Sequence, residues 1–315
     1  MDAVLILAYR RWENIERILN RFEGGAGTVF YVHIDKGRDY ESECDASAVF
    51  QKVSAYRELR GLDIHISRPK INQGIAVSMI ASINEIFKSH SELIVLEDDC
   101  LPGVDFIDFM NQSFNQMALN PDIALACGAQ FGPPEIIANE WVLSRYPLNW
   151  GWGTTKTSWA SISRLLLSEN GLKWNQGKPL TVSEMVYWNA GSRRALEGFV
   201  DVWDTILVRE LLRTDSLVLL PGKNLVENTG NEEFATHTRG EQLWTHFPVG
   251  KFVAGDSPAE FSQPLDCWLR NDFFKISKRH LISTKVTLLK DRLRFKNRPV
   301  SLTERIQGAE INFDL

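Results

Sequence analysis

The sequence predicts an α/β fold, a mostly parallel sheet flanked by helices. Three observations predict it. Over the first 130 residues, short apolar runs of strand length alternate with longer segments of helical periodicity. The runs are apolar throughout rather than at every second position, which is what strands covered on both faces require. Finally, 315 residues that are 44% hydrophobic and 24% charged suffice to bury a full core.

The elements follow in order. Ala3 to Ala8 is a strand, and "RRWENIERILNRF" places Trp12, Ile15, Ile18, Leu19 and Phe22 at helical spacing. Thr28 to Ile34 is a second strand, closed by Asp35. "ASAVFQKVSAYREL" reads as amphipathic helix and "LDIHIS" as a third strand. After Gln73, "GIAVSMIASINEIF" is a mostly apolar helix leading to a fourth strand, Leu93 to Leu96. "GVDFIDFMNQSFNQMAL" is helix again, and "DIALAC" a fifth strand. Beyond residue 130 a Pro-rich break, "FGPPEIIANEW", ends the alternation. A Trp- and Gly-rich stretch follows, "NWGWGTTKTSW", and then "GSRRALEGFVDVWDTILVRELL", read as one long helix. On such a helix Asp201 and Asp204 are three apart and share a face, with Asp204 expected to be partly buried beside Trp203 and Ile206.

Composition excludes several classes. A formal net charge of -5 leaves no dominant basic face, so broad nucleic-acid binding is not expected. The four cysteines lie far apart with no C-x-x-C pair, which fits neither a zinc site nor a disulfide framework and suits a reducing compartment. No apolar stretch approaches the roughly 20 residues of a membrane helix, and "MDAVLILAYRR" lacks the lead of a secretory signal. The expectation is a soluble, cytoplasmic protein. From Lys275 to Arg305 the chain turns basic, with Leu288, Leu289, Leu293 and Phe295 interleaved. That composition suits contact with a membrane surface or anionic acceptor, and equally a solvated helix packed on the domain.

"LIVLEDDC" runs a buried strand straight into three acids. In parallel sheets ligands bind beyond the carboxyl ends of the strands. That rule gathers Tyr9 and Arg10 after the first strand, Asp35 and Lys36 after the second, and Glu97, Asp98 and Asp99 after the fourth. Adjacent carboxylates repel unless a cation sits among them. Neither G-x-G-x-x-G nor G-x-x-x-x-G-K-[ST] is present, so no glycine loop cradles phosphates. A divalent cation held by carboxylates is the other common way to neutralise a diphosphate. A solvated turn favouring the next helix N-terminus is the plain alternative. Trp150, Trp152 and Trp159 among glycines suit the apolar face of a sugar, or else an ordinary aromatic core.

Four stretches in fixed order carry a resemblance: "LAYRR", "NQGIAVSMIASINEIF" leading to "LIVLEDDCLPGVDFIDFM", "NWGWGTTKTSW", and "WDTILVRELLRTDSLVLLPGKNLVENTGNEEFATHT". Over residues 3 to 240 the chain resembles bacterial glycosyltransferases of the GT-A fold and, more distantly, N-acetylglucosaminyltransferase I. The resemblance implies a GT-A-like, nucleotide-diphospho-sugar transferase fold. Residues 1–130 would form the nucleotide-sugar half, 131–250 the acceptor half with the donor-closing loop, and 251–315 a basic extension. In those enzymes the acid triplet is a D-x-D variant. By this likeness Asp99 would bind a divalent cation, manganese first and magnesium second. Asp98 would face the ribose and Glu97 the transferred sugar. Tyr9, Arg10, Asp35 and Ser78 would lie along the donor, and His237 in the loop closing over it. Trp150 and Trp152 would receive the acceptor.

The implied activity moves a sugar from a nucleotide diphosphate donor, a UDP-sugar, to a hydroxyl of a saccharide or lipid-linked acceptor, with inversion. Its setting would be bacterial surface polysaccharide synthesis at the inner face of the membrane, with peripheral contact through the basic extension. The general base would be Asp204, with Asp201 in reserve. Where N-acetylglucosaminyltransferase I has a second, catalytic aspartate, this chain has Thr205, a departure that puts the stereochemistry in doubt. A nucleotidyltransferase and a non-catalytic sugar-nucleotide-binding module are the alternatives.

Overall fold

The computed structural model describes residues 3–22, 27–137, 139–166, 180–230, 247–253, 258–277, 287, 290, 299–309 and 311–314. Ten strands and seven helices position the site. The strands are β1 (Ala3–Ala8), β2 (Val29–Ile34), β3 (Ile64–Ser67), β4 (Glu92–Glu97), β5 (Cys100–Pro102), β6 (Ile123–Cys127), β7 (Trp141–Ser144), β8 (Trp152–Thr155), β9 (Leu217–Pro221) and β10 (Val226–Asn228). A short strand, β11 (Glu260–Phe261), completes a nine-stranded sheet in the order β11-β7-β9-β6-β8-β4-β1-β2-β3. β1 pairs parallel with β2 and β4, and β2 with β3. β8 runs antiparallel between β4 and β6, and beyond it β6 and β9 are again parallel. The α/β class with a mostly parallel sheet is therefore as the sequence predicts. Of the later strands, unread in the sequence, β7, β8, β9 and β11 extend the same sheet, while β10 pairs with β5 in a separate two-stranded ribbon.

The apolar runs explain the layers. β1 is buried along its whole length, and its two sets of side chains feed two separate clusters. Leu5 and Leu7 join the helices α3 (Ile75–Ile86), α5 (Lys156–Leu166), α6 (Val182–Leu196) and α7 (Asp204–Thr214) on one face. Val4 and Ile6 join α1 (Trp12–Arg21), α2 (Tyr40–Arg60) and α4 (Phe106–Leu119) on the other.

Two helices differ from the sequence reading. α2 begins at Tyr40, six residues before the expected start, because Asp39 and Ser42 form a capping box there, the Ser42 N–H donating to Asp39 Oδ1 at 2.9 Å. The long helix expected over 191–212 is broken in two. α6 ends at Leu196 and α7 starts at Asp204. Gly198 makes the break at φ 78°, where a Cβ would also stand 2.4 Å from the Val300 carbonyl oxygen. Asp201 thus lies in the connecting loop and shares no helix face with Asp204.

The C-terminal residues bind back onto the first half. Asp314 donates its N–H to Ile66 O at 3.1 Å and accepts from Arg57 Nη1 at 2.7 Å. Phe313 meets the Tyr31 ring edge-on at 4.9 Å. The tail therefore covers β3, the outermost strand, which would otherwise present an open edge. Another C-terminal helix, α8 (Gln263–Trp268), is anchored by a buried ion pair, Asp266 accepting from Arg145 Nε at 2.7 Å and Ser144 Oγ at 2.7 Å. No helix among the described residues is long and apolar enough to cross a membrane.

Candidate functional site

The acid triplet stands at the carboxyl edge of β4, beside the end of β1, and the two ends are tied together. The Asp98 N–H donates to Leu7 O at 3.0 Å. In return, the Tyr9 N–H donates to Asp98 Oδ2 at 3.0 Å, and Arg11 Nη1 to Asp98 Oδ1 at 2.7 Å. Both carboxylate oxygens of this buried residue are thus engaged by the β1–α1 turn. Asp98 fixes that turn to the triplet. Arg11, which the sequence reading passed over for Arg10, also lies 3.8 Å from Asp99 Oδ2. It sets one positive charge against three carboxyl groups.

The opposite wall is a two-stranded ribbon of β5 and β10. Just past it, the Thr229 N–H donates to Asp99 O at 2.9 Å, and Asn14 Nδ2 reaches Thr229 Oγ1 at 2.9 Å. Gly230 passes so close that a Cβ there would be 2.5 Å from Asp99 Oδ2 and 2.9 Å from Asn228 Oδ1. The "NLVENTG" stretch and the triplet, over 120 residues apart in sequence, thus form one structure.

On the third side stand Trp203 and Asp204. Trp203 stacks on Trp152 with centroids 5.4 Å apart and hydrogen-bonds Glu97. Asp204 opens α7 and is exposed, not partly buried as expected, with its charge felt by both Glu97 and Tyr187. The neighbouring Thr205 turns the other way. Its carbonyl accepts from Ser192 Oγ at 2.7 Å, and its Cγ2 would lie 3.2 Å from a Cβ at Gly191 on α6.

Burial, followed by the negative charges of Asp99, Asp98 and Asp204, pushes the Glu97 carboxyl up to about 8. Asp99 is also raised, first by burial and then by Asp98. Folding therefore holds a proton on Glu97 that the unfolded chain, near 4.5, gives up. Stability from this group is present below about pH 4.5 and is lost as pH rises to about 8. The neutral isostere Glu97→Gln should then be level with wild type at pH 5 and measurably more stable at pH 8, by urea denaturation. An unchanged difference between the two pH values would contradict this placement of Glu97.

The residues present fit a divalent cation only in part by themselves. Among the described residues no group of three or more His, Cys, Asp or Glu is arranged to hold a metal. Asp99 offers a hard oxygen under the Gly230 backbone, with its side chain 23% exposed. One or two carboxylates completed by substrate phosphates are the usual protein share of such a site, and Asp99 fits that share.

The remaining candidates separate. Arg10 turns to α2, where its Nε donates to Asp45 at 2.7 Å, and Lys36 pairs with Glu43 at 3.4 Å. Asp35 accepts from the N–H groups of Lys36, Gln73 and Gly74 at 2.8, 2.9 and 2.8 Å and from Asn72 Nδ2 at 3.1 Å, so it shapes the loop leading into α3. Ser78 is buried and hydrogen-bonded to His33 at 3.1 Å, so it packs inside the sheet layer rather than lining a donor. Trp152 is 1% exposed between Trp203 and Trp159 and belongs to the core, a correction to its expected role as an acceptor platform. Trp150 is partly buried, edge-on to Phe131 at 4.7 Å, and keeps an open side. His237 lies outside the described residues.

Asp201 caps another helix from outside, accepting from the N–H groups of Ile75 at 3.1 Å and Ala76 at 3.2 Å at the start of α3. Asp201→Ala should cost about 1 kcal/mol of stability, the usual size of a lost helix cap, by chemical denaturation. No loss would show that this cap is dispensable.

No family model matches the sequence, and no curated protein does. Among solved structures, the chain is similar to UDP-glucose pyrophosphorylase complexed with UDP-glucose at 9% identity and a TM-score of 0.37, covering 70% of this chain and 90% of that one. It is also similar to mannose-1-phosphate geranyltransferase from Thermus thermophilus at 12% identity and a TM-score of 0.35, covering 73% of this chain and 76% of that one. Both likenesses are too remote for either protein's activity to transfer.

Proposed function

We propose that this protein is a metal-dependent glycosyltransferase that takes a sugar from a nucleotide diphosphate donor, a UDP-sugar, to a saccharide or lipid-linked acceptor. One observation carries the reading. Glu97 and Asp99 stand together at a parallel-strand edge, and the exposed carboxylate of Asp204 acts on Glu97 from the start of α7. Asp99 would hold a divalent cation, manganese or magnesium, which when bound supplies charge neutralisation to the leaving diphosphate. Glu97, held by Trp203, would accept from hydroxyls of the transferred sugar. Asp204 takes the proton of the acceptor hydroxyl as general base. The acceptor oxygen then bonds to the anomeric carbon, the bond from that carbon to the phosphate oxygen breaks, and its electron pair leaves on the nucleotide. Displacement from the face opposite the nucleotide gives inversion. Trp150 is the surface on which the acceptor rests. The setting fits surface polysaccharide synthesis on the cytoplasmic side of a bacterial membrane, with the basic stretch 275–305 as contact.

A nucleotidyltransferase would share the sheet and the metal but attack at phosphorus, and it normally needs a basic glycine-rich loop early in the chain. Here the β1–α1 turn is spent on holding Asp98. A thermal-shift screen of UDP-, GDP- and dTDP-sugars with manganese tests the reading. A donor at about 100 times its dissociation constant adds roughly 2.7 kcal/mol of stability. The expected result is a shift with one nucleotide series that EDTA removes. No shift with any of the three would count against it.

A further inference from the structure

Away from the triplet, a cavity of about 450 Å³ opens between the β3–α3 loop and the C-terminal segment. It shares no residue with the cluster of Glu97, Asp99, Trp203 and Asp204. Its size falls within the roughly 300–1,000 Å³ of small-molecule sites and is generous for a bare oxyanion. The floor is the loop from Arg68 to Gln73, and the roof is the short helix Leu302–Gln307 with the tail that the Asp314 contacts pin to β3.

The lining is cationic and rich in amides. Arg68 is already committed, donating to Glu43 at 2.7 Å and Ser47 at 2.7 Å. Lys70 is exposed and has no ion pair among the described residues. Arg305 is partly buried and spends one amino nitrogen, Nη2, on the Gln73 carbonyl, and its other donors have no partner among the described residues. The wall's acid, Glu304, is engaged in the Ser301 capping box. Of the three side-chain amides in the wall, Asn72 is spent on Asp35 and the Lys36 carbonyl, which leaves Asn312 and Gln73. Asn312 is exposed. Gln73 is 8% exposed, and its Oε1 is buried without a hydrogen-bond partner among the described residues. An amide not pinned at its oxygen turns about its last torsion and can present either the acceptor or the donor end. Ala309 adds an apolar side.

We infer that this cavity binds a phosphorylated sugar. Lys70 and Arg305 take the phosphate, since charge-assisted bonds from uncommitted cations suit it. The amides of Gln73 and Asn312 take hydroxyls, which both donate and accept. The inference stands apart from the transferase reading and does not require it.

Glucose 1-phosphate is the probe, titrated calorimetrically into the full chain in EDTA, with glucose and inorganic phosphate as separate arms. The expected result is saturable binding of glucose 1-phosphate, roughly tenfold weaker binding of phosphate, and none of glucose. Lys70→Gln, at an exposed position that leaves folding untouched, should weaken glucose 1-phosphate roughly tenfold, the scale of one lost charge-assisted bond. Asn312→Ala should weaken glucose 1-phosphate and leave phosphate unchanged, while Asp99→Ala should alter neither. Three outcomes would overturn the assignment. They are no saturable binding, equal affinity for phosphate alone, and binding that survives Lys70→Gln but is lost in Asp99→Ala.

Discussion

Asp204→Asn is expected to lower turnover by about 100-fold or more while leaving UDP-sugar binding nearly intact, the scale of losing a general base. The geometry gives the reason. Asp204 is the first residue of α7, exposed, and near enough to Glu97 and Tyr187 for its charge to act on both. Its neighbour Thr205 faces Gly191 on α6, so a longer acid at position 205 would meet a helix rather than a substrate. Asp201→Asn is the comparison. Its carboxylate already accepts two N–H groups of α3, so the change should appear in thermal stability and cost turnover less. If Asp204→Asn keeps wild-type turnover on the true acceptor, Asp204 is not the base. Should Asp201→Asn lose as much, the loop before α7 rather than Asp204 governs the rate. If neither matters, a retaining mechanism without a carboxylate base becomes the better account.

Asp99→Ala should abolish manganese-assisted donor binding, and Asp108→Ala should leave it unchanged. Asp99 lies at the strand edge beneath Gly230, whereas Asp108 is exposed on α4 beyond it. Hard oxygen ligands would have to sit beside the diphosphate, and of the two only Asp99 stands at the carboxyl edge of the sheet, where ligands bind. Calorimetry of a UDP-sugar with manganese and with EDTA makes the comparison. Equal affinity under both conditions, in wild type and Asp99→Ala alike, would remove the metal from the account.

Much of this site was legible in sequence because buried parallel strands announce themselves as unbroken apolar runs. Ala3–Ala8 and Leu93–Leu96 end where Tyr9 and Glu97 begin, so the carboxyl edge could be assembled on paper. What stayed hidden depended on direction and on distant partners. Arg10 and Arg11 are adjacent, and only the course of the β1–α1 turn sends one to Asp45 and the other to Asp98. Asp201 caps α3 from 126 residues away, a relation that no helical spacing encodes. Trp152 sits in a four-residue strand with glycines on both sides, too short to show a period, and only the sheet order places it in the core between β4 and β6. The break at Gly198 was readable in principle, since a glycine within a helical pattern lowers its helix propensity, yet the flanking apolar periodicity outweighed it.

The most direct test of the central claim is to identify the products formed from a UDP-sugar with manganese. The account predicts UDP and free sugar from slow donor hydrolysis, dependent on Asp99, with UDP release accelerated by a suitable acceptor. Release of UMP and a sugar 1-phosphate, or of UTP when pyrophosphate is added, would place the attack at phosphorus and contradict it.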